Sequence, residues 1–341
     1  MRHCRLVCLF VCLFVVGLFF GNPLAFGQQK VVDLTFNEIF PATHKHTLLH
    51  GEWGKEIERR TNGRVKVTIY PGNGLAAADK CFDAIAKGIA DSGMSVLGYT
   101  RGKFPLTEVI DQPLGFRSGL QATRVMDAFY RKFKPKEFDE AKILLLNGHG
   151  PGLLHTNRTQ VSNLEQIKGL KIRCHGMSAK IVEKLGGAPV GMPIGDAYDS
   201  LSRGIVEGIV VPYEALEGFR IGEVVKYTTE SYGCSYTSAM FVAMNKKKFE
   251  SLPPDVQKII EETAEEWIPK VGETWNGYDV SGKDFVVKRG NQIISLTKEE
   301  NERWANAVKS IIDEYVESTK AKGLPGAEAL KFVLDEMKKP M

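Results

Sequence analysis

Apolar residues in this chain fall into two rhythms, alternating in short runs and recurring every three or four residues between those runs. Val31 to Phe36 is short and β-branched, which predicts a strand. The loop Phe40-Pro41-Ala42-Thr43 leads into Leu49, Trp53 and Ile57 on one helical face, with Glu52, Lys55, Glu56, Glu58 and Arg59 around the others. Asn62-Gly63 supplies the left-handed turn that stops this helix. Val65, Val67 and Ile69 alternate with Lys66 and Thr68 as in a strand; a helix is predicted over about 76–87 and a strand over 94–97. Strand, helix, strand, helix, strand is the rhythm of an α/β fold with a parallel sheet under covering helices.

The rhythm then repeats. A helix is predicted around 122–133 and a buried strand at Ile143 to Leu146, ending in Asn147-Gly148-His149-Gly150-Pro151-Gly152, which reads as a crossover or hinge. Leu170 to Arg173 and Ile205 to Val211 read as strands, with helices over 178–185 and 196–202 between them; strand character returns at Phe241 to Asn245. The remainder is helical. One helix starts at Leu252-Pro253-Pro254-Asp255 and carries Val256, Ile259, Ile260 and Trp267. Another starts at Thr297 and carries Trp304, Val308, Ile311, Ile312 and Val316. These stripes read as core.

Composition changes the picture at the amino terminus. The 341 residues are 43% hydrophobic and 25% charged, ordinary for a globular protein and long enough that two lobes are the default. Arg2 and Arg5 precede the apolar run Leu6 to Phe20, and Ala25 and Gly27 flank Phe26: the order of a secretory signal, residues 1–27, with cleavage expected near Gln28. Its loss removes Arg2 and Arg5 and takes the formal net charge from +4 to about +2, too weak a basic excess for a nucleic-acid partner. The rest is expected to be periplasmic and soluble. Cys81, Cys174 and Cys234 would remain, with no CxxC pair; they read as buried thiols, with at most one disulfide.

No segment forms a Walker loop, a nucleophile elbow or a HExxH helix, so neither a catalytic residue nor a cofactor is assigned. His44 and His46 lack a spaced third ligand, and no metal is assigned either. The informative stretch runs from Asn163 to Arg173, NLEQIKGLKIR. It leads into a short strand that delivers Arg173 at its carboxyl end, where a planar fork of donors matches a carboxylate or forms a surface salt bridge.

That stretch resembles the "edlkGlkiR" segment of the solute receptors of tripartite ATP-independent periplasmic (TRAP) transporters, the DctP-like family. GEWGKEIERRTNGRVKV from Gly51, GIAD from Gly88, Phe104-Pro105-Leu106, MPIGDAYDSLSRGIVEG from Met192 and FVAMNKKKFESL from Phe241 follow in that family's order. The resemblance implies a periplasmic-binding-protein-like fold: two lobes, each a sheet covered by helices, joined by crossing strands and a long helix. The boundaries drawn are 28–149 plus about 238–270 for the first lobe, 150–237 plus about 271–320 for the second, and a helical tail over 321–341. It implies a small organic acid as ligand, small and large membrane permease subunits as partners, and Arg173 as the group that pairs with the ligand carboxylate.

Departures from the family bear on the ligand. Leu153 stands where many relatives carry a second arginine, Val211 replaces a common asparagine, Ile194 replaces residues under the ligand, and Val96 falls where sugar-acid receptors place a glutamate. Four apolar positions disfavour a dicarboxylate or sialic acid. The expectation is a monocarboxylate with an apolar or aromatic tail, with Phe40 in the closing loop and Tyr213, His149, His46 and Tyr99 as polar contacts. Glu214, if it points inward, leaves room for an amine. Three alternatives stay open: a receptor of an ATP-driven transporter, a receptor coupled to a sensor, and a periplasmic enzyme using His149 or His46 as a base.

Overall fold

The computed structural model describes residues 31–340; the expected leader and cleavage point lie outside them. The chain builds β1 (Val32–Asn37), α1 (Lys45–Arg60), β2 (Val65–Tyr70), α2 (Cys81–Ala86), β3 (Ser92–Val96), α3 (Gly119–Phe133) and β4 (Ala141–Gly148). It then builds β5 (Leu153–Thr156), β6 (Lys171–Cys174), α4 (Ser178–Lys184), β7 (Ala188–Gly191), α5 (Ala197–Ser202), β8 (Gly208–Val211), α6 (Glu214–Gly218) and β9 (Tyr227–Glu230). β10 (Ala239–Asn245), α7 (Lys246–Glu250), α8 (Pro254–Lys288), β11 (Gln292–Ser295), α9 (Lys298–Val308), α10 (Ser310–Ala321) and α11 (Gly326–Met337) complete it.

Two sheets result, in the strand orders β2-β1-β3-β10-β4 and β11-β9-β5-β8-β6-β7. In the first, β1 runs parallel to β2 and β3, while β10 enters antiparallel between β3 and β4. In the second, β6 runs parallel to β7 and β8, and β5 is antiparallel to β8 and β9. Helices cover each sheet, so the molecule is a two-lobed α/β protein.

The chain passes between the lobes four times, the last time through α10. Residues 149–152 carry the chain across, residues 231–238 carry it back, and the two crossings hydrogen-bond where the Gly152 amide donates to the Tyr236 carbonyl (2.8 Å). The third connection is α8, 35 residues that pack on α1, α3 and β4 of the first lobe and on α6 of the second. Its approach to both is too close for side chains: a Cβ at Gly272 would lie 2.8 Å from Leu120 Cα, and one at Gly282 would collide with the Tyr213 carbonyl. The boundaries drawn from the sequence at about 270 and 320 fall inside α8 and α10.

Some elements differ from the pattern's prediction. The helix expected from residue 76 starts at Cys81, because the Asn37 amide side chain takes the Leu75 and Ala76 amides (both 3.0 Å) and donates to the Ala76 carbonyl, holding that stretch as a turn. The strand expected from Ile205 starts at Gly208, with Ile205 exposed. The single helix expected from Thr297 is divided near Lys309 into α9 and α10. Tyr315 of α10 and Ala329 and Val333 of α11 then return to the first lobe, joining the core of Phe82, Phe104 and Phe129; Tyr315 donates to the Leu106 carbonyl (2.8 Å). Cys81, Cys174 and Cys234 are buried and free.

Candidate functional site

Strand alternation fixes the central side chain. Ile172 and Cys174 of β6 face the second lobe's core, which turns Arg173 the other way, into the space between the lobes. The Arg173 side chain is fully buried. Its Nε donates to the Met192 carbonyl (3.1 Å) and its Nη2 to the Tyr99 hydroxyl (3.4 Å). None of the ion pairs among the described residues includes it. Tyr99 reaches over from the first lobe and also accepts the Ile194 amide proton (3.1 Å). Both of these partners are donors, so the phenolic proton is left for a third group.

Arg173 opens onto a narrow cavity of about 30 Å³ between the lobes. Phe40, Val96, Met240 and Trp275 wall it from one side and Ile194, Val211 and Phe219 from the other. Phe40 is held by its amide bond to Glu38 (3.0 Å) and meets Phe219 edge-on across the lobes, 5.6 Å between centroids. Trp275 of α8 donates from Nε1 to Asn147 Oδ1 (3.0 Å).

A chain of polar groups lines the cavity beside Arg173. His149 Nδ1 faces the Gly150 carbonyl at 2.6 Å, so the proton sits there and Nε2 accepts from Ser238 Oγ (3.0 Å). Ser238 in turn accepts from His175 Nε2 (2.9 Å), which leaves His175 Nδ1 as a buried lone pair without a donor. Burial pulls His149 down to about 4; the Gly150 carbonyl opposes the shift and the charge of Arg173 adds to it. Burial, then Arg173 and His149, hold His175 well below the usual histidine range. Both rings are neutral hydrogen-bonding groups at pH 7.

Contacts across the cleft are backbone-tight. Gly98 follows β3 and Gly176 follows β6, and a Cβ on Gly98 would lie 3.3 Å from Gly176 Cα. Nearer α8, His44 of the first lobe bonds Glu214 of the second, both buried (2.9 Å). Asp279 of α8 accepts the Glu214 amide (3.0 Å). Burial pushes the Asp279 carboxyl up to about 7, with the bond from that amide opposing and the charge of Glu214 reinforcing the shift.

The sequence profile of the bacterial extracellular solute-binding proteins, family 7 (DctP), matches residues 36–319. This chain belongs to that family. Among solved structures, the DctP-family receptor is similar to a TRAP solute-binding protein from an unidentified marine microbe, specific for aromatic acid ligands and bound to metahydroxyphenylacetate. The two share 27% identity over 90% of this chain and 98% of that one, with a TM-score of 0.86. A TRAP solute-binding protein of Rhodoferax ferrireducens with copurified benzoate is 25% identical over 90% and 98% of the two chains, with a TM-score of 0.85. One from Bordetella bronchiseptica with bound (R)- and (S)-mandelate is 26% identical over 90% and 99%, with a TM-score of 0.84.

In this DctP-family chain the cavity gathers Phe40, Val96, Tyr99, His149, Arg173, Ile194 and Val211 from the sequence-based set. Three others do not line it. His46 packs behind two lining rings, 3.8 Å from Trp275 and 6.4 Å from Phe40 between centroids. Leu153 pairs with Val211 in the β5–β8 ladder and lies in the apolar cluster around Leu201 and Leu216. Tyr213 sends its hydroxyl to Glu230 (3.1 Å). The cavity adds His175, Glu214, Phe219, Tyr236, Ser238, Met240 and Trp275. Of the added residues beyond Glu214, which the sequence analysis had weighed, only His175 had a usable signal, as the second residue after Arg173 at the carboxyl end of a strand. Among the described residues no helix is long and apolar enough to cross a membrane.

Proposed function

We propose that this solute receptor binds a small monocarboxylate with an apolar or aromatic body, and that Arg173 receives the carboxylate. One observation carries the reading: a fully buried guanidinium that pairs with no carboxylate among the described residues, opening onto a cavity walled mostly by apolar side chains. An unpaired charge at such a site costs several kcal/mol, and an arriving anion offsets that cost. The Tyr99 hydroxyl, with its proton uncommitted, supplies a further donor to the same carboxylate. Val96, Ile194 and Val211 offer nothing to a second carboxylate or a sugar hydroxyl, and Phe40, Phe219 and Trp275 give flat faces suited to a ring. The aromatic acids bound by the similar structures support the same class.

In this reading the chain is a receptor rather than an enzyme. Its leader is removed near Gln28, and its closed, loaded form is handed to small and large membrane subunits of a TRAP transporter. His149 and His175 sit beside the anion as neutral groups, with Ser238 between them.

Calorimetric titration of the purified protein with benzoate, phenylacetate, mandelate, succinate and glucuronate tests the proposal, run beside Arg173→Met. The three aryl acids are expected to bind the wild type and to lose about 100-fold or more in the variant. Binding of only succinate or glucuronate, or aryl-acid binding that survives Arg173→Met, overturns it.

A further inference from the structure

Arg173 and Glu214 line the same cavity, yet no ion pair joins them. Glu214 is held from the opposite lobe. The His46 amide donates to His44 Nδ1 (3.2 Å), so the proton of that ring sits on Nε2 and goes to Glu214 Oε2 (2.9 Å). Phe40 and Tyr278 pack against the His44 ring, at 4.3 and 4.9 Å between centroids, and a Cβ on Gly218 would come within 2.7 Å of it. This clamp fixes one carboxylate oxygen. The other, Oε1, has no hydrogen-bond partner among the described residues, in a wall shared with Phe40, Ala215 and Phe219. Such an oxygen is free to accept from a ligand donor, and a donor buried there would otherwise go unpaired. His175 Nδ1 is a buried acceptor without a donor. Away from Arg173 and Tyr99, the cavity therefore asks for ligand protons, not ligand lone pairs.

We propose that Glu214, positioned by His44, selects acids that carry a hydrogen-bond donor on the body of the molecule, away from the carboxylate. A ring hydroxyl is the simplest such group. The inference rests on the receptor reading above and names the ligand class within it. The competing role is a latch, in which the His44–Glu214 bond only holds the lobes together; a latch would favour every ligand by the same factor.

The test compares phenylacetates hydroxylated at ring position 2, 3 or 4 with their fluoro counterparts, which are close in size and cannot donate. Dissociation constants are measured for wild type, Glu214→Gln and Arg173→Met. In the glutamine variant the His44 Nε2 proton claims the amide oxygen, turning the NH₂ group toward the cavity and replacing the acceptor by a donor. At least one hydroxy acid is expected to bind the wild type tenfold or more tightly than its fluoro counterpart. In Glu214→Gln that ratio should fall below threefold, with fluoro-acid affinity kept within threefold.

A wild-type ratio near one overturns the inference and leaves the receptor reading standing, provided the fluoro acids still bind in an Arg173-dependent way. A ratio that survives Glu214→Gln, or equal weakening of both acids, overturns the role of Glu214. Failure of every acid to bind the wild type overturns both. Should the variant not fold, the crystal structure of the wild type with its best hydroxy acid decides: a hydroxyl farther than about 3.2 Å from Glu214 Oε1 sinks the proposal.

Discussion

A buried arginine is a liability in the empty receptor and an asset in the loaded one. Replacing Arg173 by methionine removes an uncompensated charge. The variant without ligand should therefore melt at or above the wild-type temperature in calorimetry while losing acid binding, a combination that a misfolded protein would not show. A second residue-scale prediction concerns His155. Its two ring nitrogens bond Thr228 Oγ1 (2.9 Å) and the Val211 carbonyl (3.1 Å), and burial pulls it down to about 4, with the bond to Val211 opposing. A depressed histidine stabilises the fold above its unfolded value of about 6.5, and that contribution is lost as pH falls toward 4. The stability advantage of wild type over His155→Gln should shrink by about 3 kcal/mol between pH 7 and pH 4, measured by urea unfolding.

The elements were largely legible. The period-two runs at Val65, Val67 and Ile69 and the 3.6-period stripe at Leu49, Trp53 and Ile57 became β2 and α1, because α1 buries its stripe and β2 packs its apolar residues on the first lobe's core. Where the pattern misled, a remote side chain had intervened: Asn37 holds residues 75 and 76 as a turn from a different strand, which no local window contains. The candidate site was legible at Arg173, where a strand end declares itself. It was illegible at Trp275 and Ser238, which the third and second crossings bring in from far along the chain. His46 lies near the cleft in sequence, and its ring packs behind Trp275. The crossing elements also predict a closure defect. Gly98→Leu places a side chain against Gly176 where the lobes meet backbone to backbone. It should weaken ligand binding by about tenfold or more. It should also keep the radius of gyration from small-angle scattering at its ligand-free value when ligand is added. Closure undiminished in that variant would show that the two loops part rather than meet.

At the scale of the molecule, α8 and the helices after it tie the lobes into one body. Heating should give a single calorimetric transition, not one per lobe, with equal calorimetric and van't Hoff enthalpies. Ligand at about 100 times its dissociation constant should raise stability by roughly 2.7 kcal/mol in that same transition. Two separable transitions would mean that α8 can fray without dragging either core with it.

The return of α10 and α11 to the first lobe has a consequence for the order of events during biosynthesis. Phe82, Phe104 and Phe129 leave the ribosome early, but the faces that Tyr315, Ala329 and Val333 cover stay open until α10 and α11 have been made. The amino-terminal half cannot finish folding while the rest is still being translated. The piece that closes the first core is the last of its elements to arrive.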